Sequence, residues 1–292
     1  MSSSSSSSSI SSNTPKYPDL YGYEPSQGLS IAAIICFSLT TLILTFLSIK
    51  YKKWYFLVAC VAGAVQTIGY GIRITSAENP HELGIYIATT LLILLPPTAF
   101  AAVFLFAQLG KIMKRTGIKH PIFRPNVVKF LFLGIDIFSI IVQSAGGALL
   151  AQTADNPKLD KPAKGVMLTG LCIALASFSL FFFLIIYLHI QVLKVQEDDK
   201  KWRIIFFGLY PSGILIILRS IYRVAEYAGG YHSAVMLNEP LFYGLDALPM
   251  FLLMCIWIPF HPAFVNLSKK GSKDKENKDN NNIESRGGVE LE

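Results

Sequence analysis

Residues 204–227 read IIFFGLYPSGILIILRSIYRVAEY. A membrane-crossing helix needs roughly 20 mostly apolar residues. This stretch supplies them, yet it carries Arg219, Arg223 and Glu226 toward its end. A charge left in hydrocarbon costs several kcal/mol unless it pairs or faces water. The spacing i, i+4, i+7 puts all three on one helix face. A second stretch, 239–246, reads EPLFYGLD and opens the next apolar block, with Glu239 and Asp246 seven residues apart. The two stretches together imply membrane helices whose charged faces meet inside a bundle.

The rest of the chain follows the same pattern. Of its 292 residues 52% are hydrophobic and 15% charged, and the mean hydropathy is +0.46. Soluble domains carry about 25% charged residues. Seven apolar blocks are long enough to span, at about 28–49, 54–74, 84–109, 127–150, 165–190, 204–224 and 240–260. The expected fold is therefore all-α: one polytopic domain of seven transmembrane helices over 28–262. Residues 1–27, with serine throughout 2–9, and residues 263–292 are too polar to bury a core, and both tails read as disordered. Nothing before Gly28 has the apolar region of a signal peptide.

Lysine and arginine set the orientation. The loops after the first, third and fifth blocks and the C-terminal tail hold 19 of the 26 basic residues, whereas the opposite side holds Lys16, Lys158, Lys161 and Lys164. The N-terminus is expected outside and the C-terminus in the cytosol. The net charge of +7 is then mostly a topology signal and does not argue for a nucleic-acid partner. Cys36, Cys60, Cys172 and Cys255 all fall inside spans and read as packing residues, not a disulfide framework.

Several functions of seven-helix and membrane proteins lack their residues. No Asp/Glu-Arg-Tyr closes the third block and no Asn-Pro-x-x-Tyr lies in the seventh, which removes the usual receptor marks. No lysine stands between 204 and 268 to hold retinal as a Schiff base. His81, His120, His189, His232 and His261 show no paired metal-ligand spacing. No Gly-Lys-Ser/Thr phosphate loop couples the chain to ATP. The reading is of a non-enzyme with no cofactor.

Polar residues repeat at seven-residue spacing on two further blocks, Gln66 with Arg73 and Asp136 with Gln143. Four helices thus carry polar stripes, expected to face one another. Arg73, Arg219 and Arg223 nearly balance Asp136, Glu226, Glu239 and Asp246. An ion-pair network holding helices in register would explain that balance. So would a headgroup or proton site in the outer half of the membrane. Pro96-Pro97 in the third block, Gly146-Gly147, Pro211, Gly213 and Pro249 predict kinked helices, which line substrate cavities in many transporters.

These pieces resemble the fungal RTA1-like proteins, the lipid-translocating exporter family. The resemblance rests on Tyr21-Gly22-Tyr23-Glu24-Pro25-Ser26, Ile68-Gly69-Tyr70-Gly71-Ile72-Arg73, Leu95-Pro96-Pro97 through Ala101-Ala102, Asp136-Ile137-Phe138-Ser139 with Gln143 to Gly147, Arg219-Ser220 to Glu226-Tyr227, Gly230, Glu239, Tyr243, Asp246 and His261-Pro262. One position departs: the family usually has Glu where this chain has Gln66. The resemblance implies movement or export of sphingoid bases, phospholipids, sterol-like or porphyrin compounds across a fungal membrane. It implies the plasma membrane, with an endomembrane as the alternative, and links to stress and to resistance against toxic amphiphiles. The headgroup would be bound by Arg219, Arg223, Glu226, Glu239 and Asp246, supported by Asp136, Arg73, Gln66, Gln143 and Tyr243. The alternative is a seven-helix lipid or stress sensor signalling through its cytosolic loops and tail.

Overall fold

Apolar blocks without internal charge fold as helices in a membrane because every backbone group must bond within its own segment. The computed structural model describes residues 26–78, 83–116, 125–153, 156–195, 200–229 and 238–260. Among them, seven helices are long and apolar enough to cross a membrane and no strand occurs. In chain order the spans are Gln27–Lys50, Trp54–Glu78, Gly84–Gly110, Phe130–Leu150, Asp160–Lys194, Ile205–Gly229 and Glu239–Ile256. They are called here spans one to seven. The chain is a multi-pass membrane protein. Most of the two tails, Tyr21 to Pro25, His81, His120, Gly230, His232 and His261-Pro262 lie outside the described residues.

Successive spans pack side by side, and span seven lies against both six and one. Leu39, Leu42 and Phe46 of span one, Phe130 of four, Phe183 of five and Phe207 of six are exposed on the outer surface, as lipid-facing residues should be. Inside, Phe100 stacks on Phe104 and Phe104 on Trp257, with centroid distances of 5.7 and 5.2 Å. Phe106, Phe132 and Phe181 join spans three, four and five.

Three spans outrun the hydropathy pattern. Span two continues to Glu78, span five begins at Asp160 and reaches Lys194, and span six ends at Gly229 rather than 224. The charges that break the apolar run in span six lie inside the bundle, so the helix has no reason to stop. At the head of span five Lys164 bonds Asp160 at 2.8 Å, an i, i+4 pair that suits a helix end.

The tandem prolines break span three. The helix Leu83–Leu94 stops, Leu95 is a bend, and a new helix starts at Pro96. Prolines fit the first turn of a helix, where an N–H has no partner to lose. In the preceding helix the carbonyls of Leu92 and Ile93 lose the donors that residues 96 and 97 would supply. A wide π turn follows at Ala102–Phe106, and a second forms in span seven at Tyr243–Ala247.

Glycines set two close approaches. Gly69 of span two lies on Leu92 and Ile93, where an added Cβ would come within 3.0 Å of the Ile93 side chain. Gly146 of span four lies on Met167 of span five, where a Cβ would stand 2.6 Å from the Met167 backbone nitrogen. Small residues let membrane helices touch backbone to backbone. Gly146→Ala is therefore expected to destabilise the protein by about 1–3 kcal/mol, read as a lower Tm in detergent. Gly71→Ala, with nothing within 4 Å of the new Cβ, should leave Tm unchanged or raise it.

Candidate functional site

Arg223 of span six forms a fork with Asp246 of span seven: Nε donates to Oδ1 and Nη2 to Oδ2, both at 2.7 Å. Its Nη1 donates to Glu226 Oε2 at 3.0 Å, one turn along the same helix. Paired N–H groups aimed at two carboxylate oxygens are the strongest geometry available to such a pair. Both residues are buried.

Arg219 sits one turn below. Its Nε lies 2.9 Å from Asp246 Oδ1, and its Nη2 donates to the carbonyl of Ile93 at 3.0 Å. That carbonyl is one of the two freed by Pro96-Pro97. The proline break and the arginine therefore answer each other across two spans. Arg73 of span two completes the group, with its guanidinium 4.3 Å from the centre of the Phe242 ring and 5.7 Å from that of Tyr243. Arg223 also lies over Phe242, at 5.3 Å. A cation over an aromatic face is attracted by the ring quadrupole, more strongly when water is excluded. Tyr70 stacks on Tyr243 at 6.1 Å, and Tyr243 shares a 2.7 Å hydroxyl contact with Ser30 of span one.

The stripes do not all face one another as the spacing suggests. Glu239 points elsewhere: both its oxygens accept the backbone N–H of Ser26, at 2.9 and 3.0 Å. It thus caps the N-terminus of span one, where a negative charge meets the positive end of the helix dipole. Seven-residue spacing keeps two side chains on one face only in a regular helix. Glu239 lies in the preceding α-helical turn and Asp246 within the π turn at Tyr243–Ala247, which rotates them apart. Asp136 and Gln143 face span five. Asp136 accepts from Ser177 Oγ at 2.9 Å, and Gln143 Nε2 donates to the Gly170 carbonyl at 3.3 Å. Gln66 is fully buried in span two, and neither of its amide atoms has a hydrogen-bond partner.

A cleft opens beside the arginine cluster. Tyr86, Thr90 and Leu91 of span three, Gly147 and Leu150 of span four, Lys164 and Met167 of span five and Glu226 and Tyr227 of span six line it. It is partly open, with a cavity volume of about 30 Å³. Its walls are apolar except for Lys164, Glu226, Thr90 and the tyrosine hydroxyls. One base and one acid on otherwise apolar walls suit a molecule with a charged head and an apolar body. Tyr86, Thr90 and Met167 carry no sequence signal of this kind, since isolated residues in apolar runs look like packing. Lys164 stands out in the sequence only as a loop charge.

The cluster and the cleft lie within residues 59–269, which match the family described as RTA1 like protein. The chain belongs to that family. The matched region of this RTA1-like chain runs from near the start of span two past span seven and leaves all of span one outside. Among curated proteins it is similar to Protein RTA1 of Saccharomyces cerevisiae, 27% identical over 84% of this chain and 85% of the relative. It is 29% identical to Protoporphyrin uptake protein 1 of the same organism, over 68% of this chain and 65% of the relative. It is 22% identical to a Sphingoid long-chain base transporter RSB1 of S. cerevisiae, over 83% and 73%. No solved structure matches the chain.

The fork makes a stability prediction. Removing one partner of a buried ion pair leaves an uncompensated charge and costs about 3–5 kcal/mol, whereas replacing both with apolar residues is often nearly neutral. Arg223→Met or Asp246→Leu alone should lower Tm in detergent strongly. The double variant should lose less than the two single losses added together. Additive losses would show that the pair is not coupled.

Proposed function

We propose that this protein carries charged amphiphiles between the leaflets of a membrane without ATP. The headgroup enters the cleft of spans three to six, and its tail stays in lipid. The observation that carries this reading is the cleft itself, with Glu226 and Lys164 set on apolar walls. Arg223 holds the Glu226 carboxylate through one oxygen, so the acid is fixed in place at the edge of the cluster. Arg219, Arg73 and Asp246 act one layer behind it, as do Gln66 and Tyr243. Glu239 braces span one.

The names of the relatives support the class of cargo, since one is a sphingoid long-chain base transporter and another a protoporphyrin uptake protein. The cargo we infer is a lipid or lipid-like amphiphile, such as a sphingoid base, a phospholipid, a sterol-like compound or a porphyrin. Its removal from one leaflet would protect against toxic amphiphiles. The basic loops favour an N-terminus outside and a C-terminus in the cytosol, in a fungal plasma membrane. In that orientation the cleft opens toward the outer leaflet. Two of these relatives bear the names of carriers, which favours transport over catalysis.

The test is flipping of fluorescent sphingoid-base, phospholipid or sterol probes in liposomes containing the purified protein. Glu226→Gln keeps the Arg223–Asp246 fork and should fold. It removes a charge-assisted contact worth about 1.5–3 kcal/mol, so flipping of the preferred probe should fall about tenfold or more. A folded variant that flips every probe at the original rate would overturn this reading. Tight probe binding with no flipping by the unaltered protein would favour the sensor.

A further inference from the structure

Three carboxylates lie buried within the spans among the described residues: Asp136, Glu226 and Asp246. Two are held by arginine, Asp246 by Arg223 and Arg219, and Glu226 by Arg223. Asp136 is not. It is 1% exposed, accepts one hydrogen bond from Ser177, and its Oδ2 has no hydrogen-bond partner. No ion pair reaches it among the described residues.

Among the described side chains of the spans that pack against it, no charge stands nearby. Phe106 of span three and Phe181 of span five both meet Phe132 of span four, so Asp136 lies one turn further in, level with Ala102 and Ser177. On span three, Lys111 is nine residues from Ala102, about 13 Å along the axis, and Lys114 and Arg115 lie beyond it. Span five offers Ser177, then Cys172, which is exposed. Tyr187 and His189 follow near the end of that span, where His189 Nδ1 shares a 2.6 Å contact with the Tyr210 hydroxyl. The charges of span six, Arg219, Arg223 and Glu226, belong to the cluster with Asp246.

An ionised carboxylate without a cation in a low-dielectric interior is costly, and the general remedy is a proton. The same helix pair that holds Asp136 also walls the cleft. Ser139 Oγ donates to the Asp136 carbonyl at 2.8 Å. One turn on, Gln143 Nε2 reaches the Gly170 carbonyl at 3.3 Å and Ser139 Oγ at 3.5 Å. One turn beyond that, Gly146 rests on Met167, and Gly147 and Met167 line the cleft. Asp136 and Gly147 are eleven residues apart, about 16 Å along the helix.

We propose that Asp136, with Ser177, is a proton-binding site that couples transport to a pH difference across the membrane. This rests on the reading of the protein as an amphiphile carrier. The carboxylate takes one proton from water on the acidic side, becomes a neutral carboxylic acid, and releases the proton on the other side. No other bond is made or broken. The charge change acts on the span four–five contact, whose far end shapes the cleft.

Two measurements on the full-length protein in lipid test this separately. The first is infrared difference spectroscopy across a pH titration without any amphiphile. It should show a protonated-carboxyl carbonyl band that comes and goes with pH and is lost in Asp136→Asn. Should that variant fail to fold, Ser177→Ala should move the midpoint of the band upward, because it removes the donor to the carboxylate. A titrating band unchanged by both substitutions, or an Asp136 band constant at every pH, would overturn the proposal. The second measurement is probe flipping in liposomes with and without a pH gradient. The gradient should bias the two directions in the unaltered protein, and whatever flipping Asp136→Asn retains should show no bias. Bias retained in Asp136→Asn would also overturn it. Absence of all flipping, with the titrating band present, would defeat the carrier reading and leave the proton site standing.

Discussion

The fork between Arg223 and Asp246 is the contact on which the interior of this protein depends. Two charges with two parallel hydrogen bonds of 2.7 Å fix the distance and rotation of spans six and seven. A fork tolerates little sliding, because either oxygen would lose its donor. Neighbouring groups use that fixed point. Arg219 ties it to span three through the Ile93 carbonyl, and Arg73 ties it to span two through Phe242. The cost of burying the charges is offset locally, and a rigid polar centre lies beside an apolar cleft. Glu226 belongs to both, with one oxygen on Arg223 and its side chain in the cleft wall.

Irregular backbone makes the rest possible. A continuous helix through residues 92–97 would keep its carbonyls to itself and give Arg219 nothing to bond in span three. The break at Leu95 exposes a carbonyl, Gly69 lets span two approach that point, and Arg219 fills the need from span six. The π turn at Tyr243–Ala247 similarly separates the roles of Glu239 and Asp246, the first holding span one and the second the arginines. In a membrane such irregularity persists only where other groups re-satisfy the freed backbone.

Much of this was legible in the sequence. Seven apolar blocks sufficed for the spans because the bilayer imposes a length on them. The charges of 219–246 announced a shared interior because isolated charges are excluded from lipid. Pro96-Pro97 announced a break because neither residue donates an N–H. The helix ends were less legible. Buried Arg223 and Glu226 look like the end of a span by hydropathy, yet the helix runs through them to Gly229. The partners of Asp136 and Glu239 were not legible at all. Periodicity assigns a residue to a face, but which helix meets that face depends on packing and on a π turn that no residue type signals. A cavity was expected from the glycines and prolines, but its lining was not legible for a related reason: Tyr86, Thr90 and Met167 become a surface only when spans three, four and five are side by side.

Whether the cleft of spans three to six receives an amphiphile can be read by photocrosslinking: a photoactivatable sphingoid base is activated in liposomes holding the purified protein, and the labelled residues are mapped by mass spectrometry. Labels concentrated on Tyr86, Thr90, Met167 and Tyr227, and displaced by excess unlabelled lipid, are the expected result. Labels confined to the outer belt of Leu39, Phe46, Phe130 and Phe183, with no displacement, would contradict it.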